Sequence, residues 1–171
     1  MADAIGPTFK SELLAAGLSL NGIGWDTVTG TLYFNDNYTS DLQDRARAVL
    51  ASHDPSKLAP NDILASNILL GMTVLANGKG VPMATYALDS ATSAELTGIG
   101  GIVTLSGQFP GPSPTFDYPD INGDVVTFPN TAAFVSFMVS YSGLLLAMNK
   151  TAQQLNAGIP TEWPSQSVTP S

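Results

Sequence analysis

The sequence has no cysteine, a single histidine and only six Lys and Arg among 171 residues. Without thiols there is neither a disulfide framework nor a thiolate metal site. Six basic residues against fourteen acidic ones leave a net charge of −8. Such a surface repels phosphate backbones and excludes sequence-independent nucleic-acid binding. Charge of either sign is scarce, 12% of the chain against about 25% in an average protein. A surface so poor in charge suits a subunit that packs against other subunits. The scarcity deepens along the chain: residues 1–62 carry four basic and eight acidic side chains, residues 63–128 one and five, and residues 129–171 only Lys150 and Glu162. The opening MADAIGPTFK has Asp3 and Pro7 where a signal peptide needs a basic and then an apolar region.

What is present is apolar. Hydrophobic residues make up 44% of the chain, enough to exclude wholesale disorder. The length fits one domain, or two small ones sharing a core. Phe9, Leu13 and Ala16 predict a short helix over Thr8–Ala16, stopped by Gly17. Gly24–Phe34 reads as a small hairpin turning at Gly30. Ser40 and Gln43 form a capping-box spacing that opens a helix through Leu42, Ala46, Val49 and Leu50, closed by His53-Asp54-Pro55. After a linker, Pro60-Asn61-Asp62 starts a helix expected to run from Ile63 to Ala76 and, being apolar nearly all round, to be buried.

Met83–Leu88 is a short strand or an extended entry to a helix capped by Asp89 or Ser90. Gly98, Gly100 and Gly101 within that helix each cost about 1 kcal/mol relative to Ala, so it is either packed closely by a neighbour or short and broken. The clearest local signal is Phe116–Phe128, a hairpin around Asn122-Gly123. Asn130 or Thr131 then caps a long helix ending at Asn156, with Gly158 and Pro160 as its stop. The expected class is therefore α+β, mainly helical, with about five helices and two small β-hairpins. Its modules are a helix–hairpin–helix over 1–55, a linker and buried helix over 56–82, a helix–hairpin–long helix over 83–160 and an extended tail over 161–171.

Val125–Asn149 contains no charged residue, which raises the question of a bilayer span. It lacks flanking basic residues, and its periodicity is that of a core helix. Phe134, Phe137, Met138, Tyr141, Leu144, Leu145 and Met148 share one side, and a small polar stripe of Ser136, Ser140, Gly143 and Ala147 runs down another. That stripe and Trp163 in the tail are the expected partner-contact residues, docking through apolar area.

Catalytic chemistry is not evident. No Gly-x-Ser-x-Gly elbow surrounds any serine, and His53 at a helix end reads as bonded locally. Counting a calcium loop from Asp120 puts Val125 and Thr131 where glycine and a carboxylate are required. Neither Gly78-Lys79-Gly80 nor Gly98-x-Gly100-Gly101 completes a phosphate-binding fingerprint. The sequence therefore points to no catalytic residue, no cofactor and no metal.

Two stretches carry a resemblance. Phe9 to Leu18 followed by a hairpin and Ala48-Val49-Leu50-Ala51-Ser52-His53-Asp54-Pro55 resembles the opening module of short accessory proteins encoded in bacteriophage tail regions. Thr85–Asp89, the Thr115–Phe128 hairpin and the helix leading to Pro160-x-x-Trp163-Pro164 are similar to a C-terminal domain found beside phage fibre genes. The Gly-rich stretch 96–114 departs from both. The resemblance implies a non-enzymatic virion structural protein or tail-fibre accessory protein, made in the bacterial host cytoplasm and located in the virion. Its partners would be fibre, tail, capsid or vertex components, or further copies of itself. A fibre-assembly chaperone that leaves the mature particle, and a small hydrolase using His53, are the alternatives.

Overall fold

Five helices and seven short strands account for the chain in a computed structural model, which describes residues 4–171. The helices are α1 (Phe9–Ala15), α2 (Ser40–Ser52), α3 (Pro60–Leu70), α4 (Ser90–Ser106) and α5 (Thr131–Asn156). The strands are β1 (Ile23–Trp25), β2 (Leu32–Phe34), β3 (Met72–Val74), β4 (Thr85–Tyr86), β5 (Phe116–Pro119), β6 (Val125–Phe128) and β7 (Ser167–Val168). The fold is α+β and mainly helical, 44% of residues being in helices.

The chain divides into two units. One gathers Met1–Leu64 with Lys150–Glu162, the other Ala65–Asn149 with Trp163–Ser171. Two boundaries fall inside α3 and α5, and the third lies in the tail between Glu162 and Trp163.

In the first unit Ile5, Phe9, Leu13, Leu18, Tyr38 and Ala46 form a buried cluster. The antiparallel hairpin β1–β2 pairs Ile23 with Phe34 and Trp25 with Leu32, and these four side chains pack against that cluster. Phe9 meets Trp25 edge-on, with ring centroids 5.3 Å apart. The cap of α2 is Thr39 rather than Ser40, since the Leu42 amide donates to the Thr39 hydroxyl. Gln43 does reach back, donating from Nε2 to the Tyr38 carbonyl at 2.9 Å. Gly158, just past α5, lies so close to α1 that a Cβ there would come within 2.5 Å of the Ala15 amide nitrogen. With φ +76 as well, only glycine fits.

In the second unit the long helix α5 is the centre. Phe134, Phe137, Tyr141 and Met148 along it have essentially no exposure. The hairpin β5–β6 pairs Phe116 with Phe128 and Tyr118 with Val126, and Phe128 packs on both Phe134 and Phe137. Its turn departs from the sequence expectation, because Asn122 does not adopt positive φ and only Gly123 does, at +88. Asp120 closes the loop instead, one carboxylate oxygen accepting from the amides of Asn122 and Asp124. Helix α4 runs unbroken for 17 residues from an Asp89 cap to Gly107. Of its internal glycines only Gly100 faces a close neighbour, Met138.

The helix expected over Ile63–Ala76 stops at Leu70. Gly71 leaves helical space at φ +78, and Thr73 and Val74 bring the β-branched shape that favours extended backbone. The chain then forms β3, antiparallel to β4 on one side and parallel to β7 on the other. The helix is also not buried all round, since Leu69 is 79% exposed. The extended tail pairs with this chain's own β3. Gln166 anchors it by donating from Nε2 to the carbonyls of Asn67 and Gly71.

A Cβ on Gly71 would lie 2.6 Å from the Tyr86 carbonyl oxygen, on top of the cost of left-handed backbone. Gly71→Ala should therefore lower stability by about 2 kcal/mol or more, read from the midpoint of urea unfolding.

Candidate functional site

The second unit exposes an apolar face built by α4 and α5. The buried seam of α5 follows Phe134, Phe137, Tyr141, Leu144 and Met148. At about 100° per residue the side opposite that seam is Val135, Val139, Ser142 and Leu146. Val139 is 66% and Leu146 72% exposed. On α4, Leu105 is 91% exposed and Ile102 is exposed beside it. Between the helices runs a groove of about 560 Å³ whose walls include Thr97, Gly101, Thr104, Val135, Val139 and Ser142. Gly100 and Met138 also line it, and a Cβ on Gly100 would make ordinary contact with Met138 at 3.7 Å.

No residue of α5 from Thr131 to Asn149 is charged, and α4 has only Glu95. The Tyr118 hydroxyl on β5 donates to the Glu95 carboxylate at 3.1 Å. This hydrogen bond ties the one charge of α4 to the hairpin. Burial, and next the negative charge of Glu95, push the Tyr118 hydroxyl up to about 12.

The expected contact stripe sits to the side of this face. Ser136, Ser140 and Ala147 are half-buried, and only Gly143 is exposed. The Ser140 hydroxyl donates to the Ser136 carbonyl at 3.2 Å, within the helix. This small polar flank lies about 90° round the helix from the exposed row of Val135, Val139 and Leu146. Trp163 is half-buried in the tail of the same unit. Helix α5 also has the length and mean hydropathy, 1.7, of a bilayer-crossing helix, although its seam is already filled by the aromatic residues of its own unit.

His53 lies elsewhere, in the first unit, with its side chain wholly inaccessible. A backbone amide can only donate, so the 2.8 Å contact from Gly6 N makes Nε2 the acceptor. Nδ1 then carries the proton and donates to the Glu12 carboxylate at 2.7 Å. The other oxygen of Glu12 accepts from the Thr8 hydroxyl at 2.8 Å. Both ring nitrogens are thus bonded within the chain, and no serine hydroxyl is among the hydrogen-bond partners of His53. Gly6 also packs tightly against the Pro55 backbone. The His53-Asp54-Pro55 phrase is thus a joint that holds the segment before α1 against the end of α2.

Asp54 and Asp120 each close a local turn, Asp54 through Ser56 and Asp120 through Asn122 and Asp124. Asp117 accepts from the Thr127 hydroxyl across the hairpin at 2.6 Å. Among the described residues no three His, Asp or Glu side chains converge as metal ligands would.

No family model, curated protein or solved structure matches this chain.

His53→Ala strands the Gly6 amide and removes a partner from Glu12. It should cost about 3 kcal/mol, measured by urea unfolding followed at Trp25 fluorescence in a Trp163→Phe background. At the other site, a hydroxyl raised from about 10 to about 12 stays protonated in the fold while the unfolded chain ionises. Its contribution is complete below pH 10 and fades as pH rises towards 12. Tyr118→Phe should lessen that alkaline loss in thermal melts recorded across this range, the remainder coming from Tyr86 and Tyr141, which burial also raises.

Proposed function

We propose that this chain is a bacteriophage virion structural protein or tail-fibre accessory protein that works by protein–protein contact. The observation that carries the reading is the uncharged apolar face of α4 and α5, where Leu105, Val139 and Leu146 stand in solvent beside a groove. Contiguous apolar surface of this kind marks interaction sites in folded proteins. The scarcity of charge and the likeness of the Ala48–Pro55 and Thr115–Phe128 phrases to phage tail-region proteins give the contact its setting. Affinity would come from buried area and shape, with partners among fibre, tail, capsid or vertex components.

Quantitative mass spectrometry of purified particles of the phage that encodes the chain tests this directly. Stoichiometric presence is the expected result. Co-purification with the fibre from infected cells but loss from finished particles transfers the reading to an assembly chaperone. Absence from both overturns it.

A further inference from the structure

We infer that the face formed by α4 and α5 binds a second copy of this chain, as a two-fold symmetric dimer. The inference rests on reading that face as an interface and names its occupant.

Charge is the first argument. A chain carrying −8 repels its own copy wherever acidic residues meet. Across the groove between α4 and α5 no acidic side chain adds to that cost, because Thr131–Asn149 is uncharged and Glu95, the one charge of α4, is not among the groove's lining residues. Shape is the second. A two-fold interface must be self-complementary, each copy presenting both projections and recesses. Leu105 and Val139 project, while the groove beside them has Gly100 and Gly101 among its lining residues. A Cβ added at Gly98 or Gly101 meets nothing within this chain. The fold itself therefore does not demand glycine there, whereas close approach of another helix does.

Area is the third. Helix α4 has 17 residues, about 25 Å at 1.5 Å per residue. Two helices side by side present a width of about 20 Å. The face thus measures about 500 Å² per copy, or about 1,000 Å² in the dimer, near the lower bound for a specific interface. An interface of that size falls among the weaker, reversible associations.

Sedimentation velocity of the full chain across the micromolar range should show a monomer passing to a dimer. Val139→Asp and Leu105→Asp alter exposed side chains, so helical circular dichroism should be unchanged while dissociation becomes about tenfold or more easier. The absence of native cysteine permits a second reading that survives any loss of fold in those variants. Under mild oxidation Ser142→Cys, between Val139 and Leu146 on the face, should cross-link to its copy far faster than Asp36→Cys, exposed after β2. A wild-type chain that stays monomeric overturns the inference. So does a dimer indifferent to both aspartates, equal cross-linking at the two cysteines, or a monomer that instead binds phosphatidylcholine vesicles through this face. A solution monomer found in purified particles removes the dimer alone, and a dimer missing from particles removes the virion role alone.

Discussion

Aromatic contact along one side of α5 is the constraint on which the second unit depends. Tyr86 and Phe137 approach to 4.5 Å between ring centroids, and Phe128 lies 5.1 and 5.2 Å from Phe137 and Phe134. Such pairs contribute about 0.5–1.5 kcal/mol each beyond the area they bury. The polar ends of the buried tyrosines are satisfied as well. Tyr141 donates to the Ala87 carbonyl and Tyr86 to the Pro82 carbonyl. The Tyr141 bond fixes the segment between β4 and α4, the Tyr86 bond fixes the loop before β4, and Phe116 and Phe128 fix the hairpin. Once this side of α5 is committed to the core, its opposite side has no partner within the unit. The exposed row of Val135, Val139 and Leu146 is a consequence of that commitment.

The first unit is organised by a polar joint instead. His53 accepts from a backbone amide and donates to Glu12, which in turn accepts from Thr8, itself almost fully buried. Each member satisfies another, so the desolvation of three polar groups is offset by their mutual bonds. Phe9 covers the imidazole edge-on at 5.2 Å. Residues that in another setting would suggest catalysis are here occupied in holding the beginning of α1 to the end of α2.

Periodicity made the helices and hairpins legible, because side-chain spacing reports directly on which face is buried. Phe134, Phe137, Tyr141, Leu144 and Met148 were readable as a core-facing side for that reason. Two features were not legible. The end of α3 depends on Gly71 meeting the Tyr86 carbonyl, a contact made across fifteen residues, and the apolar run Met72–Leu75 looks alike in helix or strand. Pairing of the tail with β3 rests on Gln166 reaching the Asn67 and Gly71 carbonyls. No local pattern announces that kind of bond. The exposed row of α5 follows from the same periodicity, since Val135, Val139 and Leu146 lie opposite Phe134, Phe137 and Tyr141.

Both units also take strands or turns from the last fifth of the chain. Strand β3 gains its parallel neighbour only from Ser167 and Val168, and Gly158 seats itself on α1 from more than 140 positions away. Neither unit can close until these residues have joined it, so both folds wait on pairings of long sequence separation, the kind that slow folding.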